Sequence, residues 1–310
     1  MFRSRLSSVL LSNVRAKLSN VSNLHVSIFK KFRAKDCEPK PVAVVAEIVA
    51  LVSASGSNEI SPNGREQLTA APTIEKELKH PSNRLLLVPQ VLCGCGSLDG
   101  SEVTEAVSLA INLNLNGFKP EFFAPNTEIC GVMDHLCKQP DSSGVARNAL
   151  VEAARIARSE VRPLCECDCN SGIALILPGG FGCAKTLSDF ATKGAECTVL
   201  PDLERVITEF ALSKKPIGAI CIAPVLVAKV LCGTKITLGK SSPPEKWPHC
   251  AAIAEVKKMG AKHEERSVTQ VTHCKQHNVF STPAWMYNGT FAEVHDGIGR
   301  LVKALKKKLK

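Results

Sequence analysis

The sequence predicts an α/β fold on a mostly parallel central sheet, because short apolar runs alternate with amphipathic stretches from about Arg84 to the C-terminus. The runs are continuous rather than alternating, as expected of strands buried on both faces. Turns bearing glycine or cysteine follow three of them. With 310 residues, 45% hydrophobic and 22% charged, the chain is globular in composition and long enough for one substantial core or two small ones.

The elements follow in order. Leu85 to Val88 reads as a buried strand whose end is blurred by Pro89, a residue with no N–H for a ladder. Helix periodicity covers Glu102 to Leu115, Arg147 to Arg158, Leu203 to Ser213, Pro224 to Leu231 and Phe291 to Leu309. Between them, Phe118 to Ala124, Ile173 to Leu177 and Ile217 to Ile222 read as buried strands, with shorter strands at Ile236 to Leu238, Val268 to Val271 and Val279 to Thr282. No internal repeat is evident.

The formal charge of +10 raises the question of a nucleic-acid partner, and its distribution argues against one. Residues 1–35 hold eight bases (Arg3, Arg5, Arg15, Lys17, Lys30, Lys31, Arg33 and Lys35) and no acid. Leu6, Val9, Leu10, Val14 and Leu18 recur at helical spacing among them. This is the composition of a mitochondrial transit peptide. No uncharged apolar stretch of about 20 residues follows, so no membrane span is expected. The second basic cluster, Lys303, Lys306, Lys307, Lys308 and Lys310, closes the last helix, where cations complement the dipole and stay solvated. One Tyr and two Trp are too few for stacking on single strands. Residues 36–83 are punctuated by Pro, Gly and Ser and read as a linker, with one apolar patch at Val42 to Val52. The globular domain is therefore placed at 84–310.

The fourteen cysteines are scattered and follow no secretory signal, so they read as free thiols. Cys165, Cys167 and Cys169 stand closer together than zinc ligands usually do, as do Cys93 and Cys95, and no metal is expected.

In wound α/β sheets the ligand crevice lies beyond the carboxyl ends of the strands, so the residues just after each apolar run carry the information. Cys221 ends one run three residues before Pro224, which suits the first turn of a helix. A thiol at such a turn meets unsatisfied N–H groups and a positive dipole end, which favour the thiolate; a small buried hydrophobe is the competing reading. Gly179 and Gly180 end another run, allow close approach of backbone to ligand, and offer N–H groups to an oxyanion. Glu102 and Glu105 share a face in the first turn of a helix, where one serves the dipole and the other can reach the crevice as acid or base.

These residues stand within ordered segments that include Gly96-Ser97-Leu98-Asp99-Gly100-Ser101-Glu102, Asp134-His135, Arg147-Asn148, Pro178-Gly179-Gly180-Phe181-Gly182, Pro216 to Pro224, Thr282-Pro283-Ala284 and His295-Asp296-Gly297-Ile298-Gly299. From about Leu85 to Lys308 the sequence resembles the class I glutamine amidotransferase-like superfamily, in its PfpI and Parkinsonism-associated deglycase branch, and is most similar to ElbB-like mitochondrial members. The resemblance implies a flavodoxin-like three-layer sandwich, usually dimeric. It matches Cys221 to the elbow cysteine and Glu105, or second Glu102, to the carboxylate beside it. Gly179, Gly180 and Ile222 would then supply oxyanion N–H groups. Deglycase and glyoxalase members act without cofactor on α-oxoaldehydes, so a small aldehyde or a glycated compound is the expected substrate.

Two departures narrow the function. Ile222 stands where PfpI-type peptidases have His, and Ala223 where true glutamine amidotransferases have Gly. The only His-x-Glu is His263-Glu264-Glu265, too close to the cysteine for the amidotransferase motif. The expectation is a glutathione-independent glyoxalase or deglycase; the alternative is a non-catalytic redox-sensing or chaperone-like protein with an oxidisable Cys221. His249, His263, His273, His277 and His295 are the candidates for an assisting base.

Overall fold

Seven strands make the central sheet of the computed structural model, which describes residues 86–309, all within the unit Ile74–Lys310. The expected transit peptide, residues 1–35, and linker, residues 36–83, lie outside the described residues.

The first apolar run forms β1 (Leu86–Val91), and the stretch after it forms α1 (Val103–Leu115). Then come β2 (Phe118–Ala124), a small hairpin of β3 (Met133–Asp134) and β4 (Gln139–Pro140), α2 (Ala149–Ala157) and β5 (Val161–Pro163). β6 (Leu175–Leu177), the single turns α3 (Gly182–Lys185) and α4 (Phe190–Lys193), and α5 (Pro201–Leu212) follow. Next are β7 (Ile217–Ile220), α6 (Pro224–Val230), β8 (Lys235–Ile236), α7 (Ala252–Lys258) and β9 (Lys262–His263). β10 (Thr272–Cys274), β11 (Val279–Thr282) and the long α8 (Phe291–Leu309) complete the domain.

The sheet order is β10-β11-β7-β6-β1-β2-β5, parallel throughout except for β10 at one edge, which runs antiparallel to β11. Side chains on both faces are buried, as the continuous apolar runs require. Ile176 and Ile220 point into a core with Leu109 and Leu113 of α1 and Leu301 and Leu305 of α8. Leu175, Leu177, Ile217 and Ala219 point the other way, into a core with Leu203, Ile207 and Phe210 of α5. Helices on both faces of a mostly parallel sheet give the flavodoxin-like α/β sandwich. No helix among the described residues is long and apolar enough to cross a membrane.

Three expectations change. β1 runs straight through Pro89, paired in register with Glu121 of β2. The carbonyl of Leu87 accepts from Ile173 N–H at 2.9 Å, so the position two residues on, where Pro lacks its N–H, faces the stretch before β6 begins. Gly172 fills that gap, where a Cβ would meet the Pro89 ring at 2.2 Å. Val268 to Val271 is not a strand: the carbonyls of Val268 and Gln270 both accept from the Thr282 hydroxyl, at 3.3 and 2.9 Å, and pairing with β11 starts only at Thr272. β7 stops at Ile220, because Cys221 turns the backbone left-handed at φ 58°.

The Cys165 to Cys169 run is organised by its backbone. Arg205 donates to the carbonyls of Cys165 and Cys167 at 3.1 and 3.0 Å, and Asp168 caps the turn Cys169–Ser171. No group of side chains able to hold a metal ion occurs among the described residues.

Candidate functional site

Four chain segments meet at the carboxyl end of the sheet: the turns after β1, β6, β7 and β11. Cys221, directly after β7, is held by its own N–H donating to Thr282 O at 3.1 Å. A left-handed conformation costs a non-glycine residue roughly 1–3 kcal/mol and persists where the surroundings enforce it. Here it brings the side chain against the turn after β6, at the margin of the core that holds Ile220 and Leu109.

That turn admits the cysteine only because it lacks side chains. A Cβ on Gly179 would lie 2.4 Å from Cys221 Cβ and 2.7 Å from Glu105 Oε2. Gly180, at φ 99°, packs against the chain after β1, where a Cβ would meet Gly100 O at 2.2 Å. The two turns are joined by backbone bonds from Glu102 N to Gly179 O at 3.0 Å and from Phe181 N to Ser97 O at 2.8 Å.

Glu105 comes up from the first turn of α1 and is fully buried. Its Oε2 accepts from Gly179 N–H at 2.8 Å, its Oε1 from Trp285 N–H at 3.2 Å, and its carboxyl is hydrogen-bonded to the Cys221 thiol. Burial, reinforced by the charge of Glu102, pushes Glu105 up to about 8 against the pull of these three bonds. Glu102 is the N-cap of α1: one oxygen accepts from Glu105 N–H at 2.7 Å and from the Thr104 hydroxyl at 2.5 Å. Of the two acidic residues, therefore, Glu105 meets the cysteine and Glu102 holds the helix.

The thiol itself departs from expectation. Cys221 is 7% exposed, and burial, then the charge and hydrogen bond of Glu105, push its thiol well above the ordinary range; the Gly180 N–H bond opposes this without prevailing. Desolvation outweighs the benefit of a helix start that is only seven residues long. The pair thus rests as a thiol beside a carboxyl that titrates near neutrality. Of the three backbone N–H groups expected to face an oxyanion, that of Gly179 is spent on Glu105, that of Gly180 is directed at the sulfur, and Ile222 lies on the wall of the adjoining cavity.

The cavity in front of Cys221 has a volume of about 500 Å³. Glu102, Gly180, Phe181, Ile222, His249 and Trp285 are among the residues that line it. His249 is the one of the five candidate histidines found there, edge-on to Phe181 at 5.7 Å and held below its ordinary pKa by burial. His263 instead accepts from Leu238 N–H, His273 stacks on Phe280, His277 bonds to Cys232 O and His295 to Ser108. His263-Glu264-Glu265 is outside the cavity, with Glu264 paired to Arg266 and Glu265 bonded to Ser241.

The sequence reading missed Trp285 and Thr104. The Trp285 indole donates to the Thr104 hydroxyl at 2.7 Å while its backbone holds Glu105, so one residue ties the turn after β11 to α1. The rule that picked out the residues after β1, β6 and β7 would have found it, had it been applied to β11 as well.

No family model matches the chain. Among curated proteins it is similar to human glutamine amidotransferase-like class 1 domain-containing protein 3, mitochondrial, at 40% identity over 265 residues, covering 84% of this chain and 97% of that protein. It is similar also to the mitochondrial ES1 protein homolog of Rattus norvegicus, at 39% identity with the same coverage, 84% and 97%. A crystal structure of an isoprenoid biosynthesis protein with amidotransferase-like domain from Ehrlichia chaffeensis superposes with a TM-score of 0.65 at 32% identity, covering 73% of this chain and 100% of that one. The protein is mitochondrial, as its relatives are. With whole-length relatives at this level of identity, the chain belongs to the glutamine amidotransferase-like class 1 family of ES1-type mitochondrial proteins.

Proposed function

We propose that the protein is a glutathione-independent glyoxalase or deglycase that attacks α-oxoaldehydes such as methylglyoxal with Cys221. The observation that carries this reading is the hydrogen bond between Cys221, which lines the cavity, and the fully buried Glu105 behind it. Glu105 in its ionised form takes the thiol proton as sulfur adds to the aldehyde carbon, and returns it to the new oxygen, giving a hemithioacetal. The N–H groups of Gly180 and Ile222 hold the oxyanion in between. Glu105 then removes the proton from the former aldehyde carbon and delivers it to the neighbouring carbon through an enediolate, leaving a thioester. Water releases lactate and the thiol. The oxidation of the aldehyde carbon is balanced by the reduction of its neighbour, so no external oxidant or cofactor is needed.

The redox-sensing alternative is less well supported, since the thiolate is the species that oxidises and burial disfavours it here. Peptidase and glutaminase readings lack their histidine, because Ile222 follows the cysteine and His263 is bonded elsewhere. The test is to incubate purified protein with methylglyoxal and measure lactate, with Cys221→Ser in parallel. Turnover confined to the wild type supports the proposal, and equal lactate from both removes it.

We also propose a homodimer formed through α1. Val103, Val107, Ile111 and Leu115 recur every fourth residue along this helix and are 38%, 39%, 45% and 75% exposed. Its exposed face carries no charged side chain, since Glu105, the only charge between Val103 and Leu115, is buried. Such a stripe is compatible with packing against its own copy across a two-fold axis.

A further inference from the structure

We propose that the cavity beside Cys221 takes an uncharged carbonyl compound with an apolar body well beyond the size of methylglyoxal, and that it rejects carboxylated and phosphorylated carbonyls. The proposal rests on the reading of this cavity as the substrate site, and it adds the size and charge of what enters.

Size comes first. A volume of about 500 Å³ falls within the range of roughly 300–1,000 Å³ that suits ligands of drug size. A molecule as small as methylglyoxal would leave most of it filled with water. The wall is apolar over most of its extent: Phe181, Phe190, Ile222, Pro248, Trp285 and Met286 line it. Three aromatic side chains and several aliphatic ones reward a flat apolar body with area removed from water.

Charge comes second. No Lys or Arg lines the cavity. Its titratable groups are the thiol of Cys221, which burial keeps protonated, the imidazole of His249, which burial keeps neutral, and the carboxylates of Glu102 and Glu255. Three bases on the surrounding elements, all outside the lining, are held by hydrogen bonds or an ion pair. Lys185 donates to Leu98 O at 3.0 Å, Lys229 to Ala195 O at 2.9 Å, and Lys258 pairs with Glu255 at 2.7 Å. Glu255 also accepts from Ala195 N–H at 2.9 Å, which fixes it in place on the wall. A carboxylate or phosphate brought in would therefore lose its water, find no Lys or Arg on the wall, and meet Glu102 and the Lys258-paired Glu255 there instead. A neutral carbonyl needs only a donor for its oxygen, and the Gly180 amide, directed at the sulfur, is available for that purpose.

Two diketones and a matched 2-oxo carboxylate separate these demands in equilibrium binding to the full chain, measured by calorimetry. Acetylbenzoyl is aromatic and neutral, phenylglyoxylate replaces its methyl group by a charged oxygen, and diacetyl replaces its ring by methyl. Acetylbenzoyl is expected to bind at least about tenfold more tightly than either, since a single methylene in an apolar pocket is already worth that factor. Ala191 is an exposed residue of the lining, so Ala191→Trp should fold and should abolish the preference by occupying the cavity. Phenylglyoxylate or diacetyl binding as tightly as acetylbenzoyl, no measurable binding of any of the three, or an unchanged preference in Ala191→Trp would each overturn the proposal. The measurement needs no turnover. Loss of the enzymatic reading, seen as no lactate with the binding order intact, is thus distinguishable from loss of this one, seen as lactate formed without the binding order.

Discussion

At the scale of the residue, the site is defined by a carboxyl group that folding makes hard to ionise. Glu105 is raised from the ordinary carboxylate range to about 8, with burial as the leading cause. The folded protein therefore holds a proton there that the unfolded chain has already lost across that interval. Its contribution to stability is complete below the ordinary carboxylate range and is lost as pH rises toward about 8. Glu105→Gln, which cannot ionise, should lack this slope, so its melting temperature relative to wild type should climb between pH 5 and pH 8. Calorimetric melts across that range decide it; parallel curves for the two proteins would mean that Glu105 is ionised throughout. Sequence spacing placed Glu102 and Glu105 on one helical face without showing which of them turns inward. That depended on Glu102 serving as the N-cap and on Gly179 leaving room for the other carboxylate.

At the scale of the element, helices with several periods and strands with an apolar run were legible, down to the four residues of β11, and most of the short segments without either were not. α1, α5 and α8 declare themselves through apolar positions at helical spacing, β6 and β7 through uninterrupted apolar residues buried on both faces, and β2 through its buried end Phe122 to Ala124. β5, α3, α4 and α7 span three to seven residues each, and β8 and β9 only two. Segments of that length contain too few periods to register, and tertiary contacts decide them. Pro89 misled for a related reason, since the gap that tolerates it is made by Gly172, distant in sequence. The exposed stripe on α1 carries the prediction at this scale. Ile111→Asp places a charge at its centre and should convert a dimer to monomer in sedimentation equilibrium, with little loss of monomer stability because Ile111 is 45% exposed. A wild-type monomer, or a variant that still dimerises, would move the interface elsewhere.

At the scale of the whole molecule, the sheet has helices on both faces within residues 86–309, and no strand of the parallel set is missing a neighbour inside that range except at the two edges. A chain shortened to begin near Ser82 should then be soluble and unfold cooperatively by circular dichroism. Aggregation of the shortened chain beside a well-behaved full-length protein would show that the apolar patch from Val42 to Val52 belongs to the core. The same completeness makes the site rigid: the turns after β1, β6, β7 and β11 are bonded to one another around Cys221 and Glu105 before any ligand arrives. The most direct test of the account is the pH dependence of lactate formation from methylglyoxal by wild type and Glu105→Gln. Wild-type kcat/KM should rise with pH, reach half its plateau near pH 8 and level off above it, as Glu105 ionises and becomes able to take the thiol proton. Glu105→Gln should lie about 10²-fold or more below it, the usual worth of a positioned acid–base group, and should show no such rise. A Glu105→Gln variant that turns over like wild type with the same pH profile would contradict the account.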